Sequence, residues 1–222
     1  NTELYYLSHR SFNVSDDVKR TEIITADPVT GLEVKLIYDA FICEDVIVTH
    51  SEITNNGQGE VELINFYSSS LALQDHKYVL GHFNGEWAGE MQFEQEPLTH
   101  GIKVIETKEG AKTTHKESPS FVLGIDSDSI EEDCGKVLVG TLAWSGNFKL
   151  SFQMTNVETV NILAGINPYC SQYPLSKGQS FVTPEMIYSY SACGLGQASR
   201  NLHDWSRNHL ERNAKEMCPT LL

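Results

Sequence analysis

Residues 82–94 read HFNGEWAGEMQFE, which places Trp87 between Glu86 and Glu90. Paired carboxylates are what glycoside hydrolysis requires, and an indole ring is a natural platform for the apolar face of a sugar. The spacing alone fixes no geometry. A retaining glycosidase needs its carboxyl groups about 5.5 Å apart and an inverting one about 6.5–9.5 Å. Residues i and i+4 of an extended or irregular loop guarantee neither separation. The stretch is also polar throughout, so it supplies none of the burial that makes a carboxylic acid a proton donor near neutrality. The expectation is a loop with one contact aromatic, not a catalytic pair.

Other stretches that suggest chemistry fall short of it. DSDSIEED at 126–133 resembles a calcium loop until its fifth and sixth positions, Ile130 and Glu131, where an EF-hand needs a ligand and a glycine. It reads as a solvated loop. Eight histidines occur, but His203 and His209 fall on different faces of a helix, no HExxH is present, and His76 and His82 keep no ligand spacing. No metal or cofactor is expected. A GxSxG elbow is missing, and SACGLG at 191–196 reads as a glycine-rich turn before a helix. The five cysteines, Cys43, Cys134, Cys170, Cys193 and Cys218, form no CxxC and suggest buried, reduced thiols. One sequon, Asn13-Val14-Ser15, carries little weight.

The balance of the chain narrows its partners. It has 222 residues and a formal net charge of −14. That charge repels phosphate backbones and anionic lipid unless a basic patch offsets it. The tightest cationic pairing is Lys19-Arg20, so neither nucleic acid nor a membrane surface is an expected partner. No apolar run reaches the roughly 20 residues of a membrane span.

The elements that must carry these residues are mostly strands. In FKLSFQM, 148–154, Phe148, Leu150, Phe152 and Met154 alternate with polar residues, the pattern of a half-buried strand. Leu32, Val34, Leu36 and Tyr38 repeat it after the turn-rich DPVTG of 27–31. KVLVGTLAW, 136–144, is apolar on both faces, as a central strand would be. Ser145-Gly146-Asn147 is expected to join 136–144 to 148–154 as a tight hairpin. Asn55-Asn56-Gly57 is expected to do the same for 45–53 and 60–68. Further strands are predicted at 160–166 and 180–190, with Pro184 at an edge or bulge. Only the C-terminal segment has helical spacing: Ala198, Leu202, Trp205 and His209 form a stripe from Gly196 to about Lys215. The fold class is mainly β, an antiparallel sandwich or barrel in one domain with one C-terminal helix.

Several stretches, in order along the chain, resemble the family 36 glycoside hydrolases, the retaining α-galactosidases. They are ADPVTGLEV (26–34), DVIVTHSEITNNG (45–57), GEWAGE (85–90), EGAKTTHKESPSFVL (109–123), WSGNF (144–148), GINP (165–168) and FVTPE (181–185), followed by the terminal helix with Gly194, Gly196 and His203. The resemblance implies a galactose-mutarotase-like β-supersandwich spanning 1–222, lacking its own N-terminal portion. In that family a catalytic (β/α)8 barrel follows, with the nucleophile in a Lys-x-Asp segment that this chain does not contain. CPTLL (218–222) resembles the lead-in to the first barrel strand. No catalytic residue is therefore expected here.

What the resemblance implies about function is a supporting role. Expected partners are the barrel of the same polypeptide, neighbouring subunits of a homo-oligomer, and a galactoside met indirectly. Trp87, Glu90, His115 and Asn147 are the expected rim or interface residues. The family's arginine before the glutamate is Gly89 here, and its serine pair is Thr113-Thr114. A cytoplasmic, bacterial setting is expected, with secretion left open. Two other readings stand beside this one. A stand-alone carbohydrate-binding module would show a row of exposed aromatics on one sheet face. A mutarotase-like epimerase would need His115 and Glu90 to converge on one sugar.

Overall fold

The computed structural model describes residues 2–110 and 116–210. Sixteen strands and one α-helix follow one another among them. The first eight strands are β1 (Tyr5–Asn13), β2 (Val18–Ala26), β3 (Leu32–Phe41), β4 (Val46–Asn55), β5 (Val61–Leu63), β6 (Ser69–Gln74), β7 (Tyr78–Glu86) and β8 (Gly89–Pro97). The rest are β9 (Gly101–Glu106), β10 (Glu117–Ile125), β11 (Lys136–Leu142), β12 (Phe148–Met154), β13 (Thr159–Ile166), β14 (Tyr173–Leu175), β15 (Ser180–Val182) and β16 (Met186–Ser191). The helix α1 (Leu195–Trp205) runs on into a π-helical turn, Ser206–Leu210.

A ten-stranded sheet has the order β1-β2-β3-β4-β16-β11-β10-β7-β8, with β15 also pairing β4. A four-stranded sheet, β6-β13-β12-β9, packs against it, and β14-β5 form a small third sheet. All the strand pairs are antiparallel. This is the mainly β supersandwich with a single C-terminal helix that strand spacing and resemblance predict. Its main core lies between the two large sheets. Phe148, Leu150, Phe152 and Met154 of β12 are buried against Phe121, Leu123 and Leu138. The rings of Phe121 and Phe152 meet edge-on at 4.9 Å. A second core cluster, Val79, Val122, Val137 and Val139, receives Ala198 of α1 on the other face. That double burial is why β11 is apolar on both faces.

Neither predicted hairpin forms. β11 pairs β10 and β16, whereas β12 pairs β9 and β13. Ser145–Asn147 is thus a crossover between sheets. A strand covered on two faces and a strand covered on one belong in different layers, and the chain must turn the corner between them. At Asn55–Gly57, β4 pairs β3, β15 and β16, while β5 pairs β14. The fully buried Asn55 side chain donates to the Gly59 and Leu175 carbonyls, both at 2.8 Å, and holds the corner shut.

Other expectations are refined. Alternation in β3 changes face midway. Leu32 and Val34 pack with Leu63 and Leu175, then burial passes to Ile37 and Asp39, on the face Val48 shares with the helix. The 180–190 stretch breaks at Pro184 into β15 and β16, which pair successive parts of β4. Cys43, Cys134, Cys170 and Cys193 are exposed free thiols, not buried ones. They lie on turns and element ends rather than on core-facing strand positions. Cys218, the 218–222 lead-in and the helical extension to Lys215 lie outside the described residues.

The acidic run is more than a solvated loop. Leu195 N and Gly196 N donate to the Glu131 and Glu132 carbonyls at 2.9 and 3.0 Å, satisfying two orphan donors at the start of α1. Acidic residues there also suit the positive end of the helix dipole. Gly194 has φ 82, and a Cβ on Gly194 or Gly196 would collide with Glu132. At its far end the helix stripe seats Trp205 among Phe41, Val46, Val48 and Ile187. His209 stacks on Phe41 at 4.6 Å and reaches Glu44 Oε1 at 3.3 Å.

Candidate site at the Trp87 end of the sandwich

Trp87 does not sit in an irregular loop. β7 and β8 form a hairpin in which Glu86 faces Gly89, and Trp87-Ala88 are its two-residue turn. Ala88 takes a φ of 62, as such turns demand. The indole is 87% exposed. Glu86 and Glu90 are exposed too, and Glu90 Oε1 accepts a hydrogen bond from Ala88 N at 3.3 Å. Glu90 therefore serves its own turn. Two solvated carboxylates at a hairpin tip, with no wall of protein around them, make no catalytic pair.

Asn147 lies beside this hairpin through an intermediate segment. Its Oδ1 accepts from Gly110 N at 2.6 Å, and Gly110 has φ 66. Beyond the undescribed residues 111–115, the Lys116 carbonyl accepts from Gly85 N at 2.9 Å. Lys116 Nζ also meets Glu109 Oε1 at 2.6 Å, which closes the base of the segment. One end of 110–116 is thus tied to the β11–β12 crossover and the other to the Trp87 hairpin. Trp87, Glu90 and Asn147 are brought to one end of the sandwich. His115 lies outside the described residues.

The crossover is itself braced. The Asn147 carbonyl accepts from Asn167 N at 3.0 Å and from Trp144 Nε1 at 3.2 Å. Asn167 is buried, and its Nδ2 donates to Glu106 Oε2, the Thr107 carbonyl and the Phe148 carbonyl at 3.1–3.3 Å. Lys108 forms an ion pair with Glu106, and that pairing, with help from Asn167, holds the Glu106 carboxyl below the usual carboxylate range. The Lys108 ammonium also stands 5.6 Å from the ring centre of the half-exposed Tyr169. Lys108, Trp144, Asn167 and Tyr169 were not expected in this group. No spacing rule could have found them, because they lie on three loops that only the two-sheet packing brings together. Tyr169 directly follows GINP, which was the one available hint.

The remaining resemblance stretches gather elsewhere. ADPVTGLEV, NNG and FVTPE meet at the corner beside the small third sheet. Val29 N donates to the Asp27 carboxylate at 2.8 Å and holds it below the usual carboxylate range. Asn56 N donates to the Gly31 carbonyl at 3.0 Å, and Ser51 and Thr183 exchange hydrogen bonds at 2.9 Å. Among the described residues, no group of three His, Cys, Asp or Glu is arranged to hold a metal ion, and no helix is long and apolar enough to cross a membrane.

Comparison with known proteins agrees with this architecture. α-Galactosidase AgaA of Geobacillus stearothermophilus is 29% identical over 227 residues, covering 96% of this chain and 31% of that protein. Its crystal structure superposes with a TM-score of 0.91. α-Galactosidase Mel36A of Lactobacillus acidophilus is 29% identical, covering 91% of this chain and 28% of that protein. The galactosidase domain of the α-galactosidase–sucrose kinase AgaSK is 26% identical with a TM-score of 0.88, covering 95% of this chain and 32% of that one. The chain spans about three-tenths of the length of these relatives. Residues 2–176 match the glycosyl hydrolase family 36 N-terminal domain, and the chain belongs to that family.

Proposed function

We propose that this chain is the non-catalytic N-terminal domain of an α-galactosidase that hydrolyses terminal α-galactosides of oligosaccharides. In this reading it braces a following catalytic barrel and a cytoplasmic homo-oligomer, and presents the Trp87 end to a pocket rim or subunit interface. The observation that carries it is the braced end itself. A fully exposed indole on a two-residue turn is tied through Gly85, Lys116, Gly110 and Asn147 to the sandwich frame. A large apolar ring held out rigidly in water suits contact with something outside the chain. The pure chain should show no turnover of an aryl α-galactoside, while the complete polypeptide hydrolyses it. Turnover by the chain alone would overturn the reading. In the complete polypeptide, Trp87→Ala should raise KM or weaken assembly, and unchanged kinetics and assembly would reduce Trp87 to a bystander.

A stand-alone carbohydrate-binding module is less well supported. Its exposed aromatics would need to share a surface. Tyr5, Tyr6 and Phe12 lie on β1 and Trp87 on the β7–β8 turn, at opposite edges of the ten-stranded sheet. Calorimetry with galactose, melibiose and raffinose decides the matter: millimolar or tighter binding by the isolated chain would favour the module.

A further inference from the structure

A group of charged side chains sits at the foot of the Trp87 hairpin. His82 of β7 is only 8% exposed, with Nδ1 3.0 Å from Asn84 Oδ1 and Nε2 3.6 Å from Glu96 Oε1. Glu94 and Glu96 of β8 are the register partners of His82 and Leu80, so they share the inward face. Lys103 of β9, in the opposite sheet, pairs with Glu96. Glu117 opens β10 opposite Asn84. Burial pushes the Glu117 carboxyl up, Glu94 adds to the rise, and His82 and Lys103 oppose it. The neighbouring Lys116 pairs with Glu109.

The backbone around this cluster is weakly laddered. The β7–β8 register shifts between Asn84 and Glu86, and the β10–β7 register shifts between Glu117 and Phe121. Such irregularities interrupt ladder hydrogen bonds, so side chains carry more of the positioning. The bond from Gly85 N to the Lys116 carbonyl lies between the two shifts. It joins the residue before Glu117 to the hairpin stem.

We propose that His82, Glu94, Glu96, Lys103 and Glu117 form a proton-operated seat for the Trp87 hairpin. With Glu117 uncharged, the hairpin foot closes on β10. With Glu117 ionised beside Glu94, the foot loosens and Trp87 gains freedom. Proton uptake and closure favour each other by linkage, so the closed population falls as pH rises through the Glu117 titration. The device belongs to the hairpin and holds whatever partner Trp87 meets.

The test uses the full chain labelled with 5-fluorotryptophan. Its three tryptophans give three fluorine signals, and Trp87→Phe assigns the one of interest. Between about pH 4 and about pH 8, the Trp87 signal should pass through one transition centred above the ordinary glutamate value of about 4.3. Glu117→Gln should abolish that transition while leaving the circular dichroism spectrum unchanged. Glu90→Gln, which alters the carboxylate nearest the indole, should leave the transition in place. A flat Trp87 signal, a transition that survives in Glu117→Gln, or one that disappears in Glu90→Gln would overturn the proposal.

Discussion

Asn55 and Asn147 both bind backbone through a side-chain amide, but in opposite settings. Asn55 is fully buried. Its Nδ2 donates twice, its Oδ1 accepts from Gly57 N at 3.0 Å, and its own backbone pairs with Gly178 and Gln179. Asn147 is partly buried, and its Oδ1 accepts once. The first closes a corner that faces only the protein itself. The second steadies a segment that ends at an exposed tryptophan. A buried polar network with every group satisfied specifies shape, and losing one member leaves several groups unpaired. A single tether under an exposed loop positions a surface instead. The family's sequence stretches divide between these two places, so half of what marks the family marks its folding and half marks a face it shows outward.

The comparison can be broken by mutation. Asn55→Ala should have the largest effect, costing about 3 kcal/mol or more because two carbonyls and one N–H lose their partners in a dry site. Urea unfolding measures it, and a cost comparable to that of Asn147→Ala would erase the distinction. Asp27→Asn should follow. Its carboxyl is held low by turn N–H groups, so its contribution is present at neutral pH and lost as pH falls through its depressed pKa. The difference between wild type and variant should therefore shrink on acidification, and a constant gap would contradict this. Asn147→Ala should cost about 1 kcal/mol, one hydrogen bond to a half-buried amide. Hydrogen exchange should speed up at Gly110 and leave the Asn55 corner unchanged. Trp87→Ala should change stability least, within about 0.5 kcal/mol. A large loss would mean that the ring packs against this chain.

Strand content, the central character of 136–144, the half-buried 148–154 and the helix stripe at Ala198 and Trp205 were all legible from residue periodicity. Periodicity reports burial, and burial on one or two faces is a local property. Both hairpins were misread for one reason. Asn-Gly and Ser-Gly-Asn permit a tight turn, but permission does not choose the partner strand. β11 and β12 part because one is covered on both faces and the other on one. β4 and β5 part because the Asn55 amide finds carbonyls on a distant segment. The acidic run failed as a calcium loop on its own spacing, yet its use as a cap for α1 could not be seen without Gly194 beside Glu132.

The sequence by itself determined the fold class, the family and the exclusion of a self-contained catalytic pair. These rest on alternation, on ordered stretches of residues and on charge, all of which are written along the chain. Tertiary structure alone decided that GEWAGE, the 109–123 stretch, WSGNF and GINP occupy one end of the sandwich while ADPVTGLEV, NNG and FVTPE occupy a separate corner. The pairing of a strand depends on which distant surface covers it, so residues far apart in sequence become neighbours only when the two sheets close on their shared core.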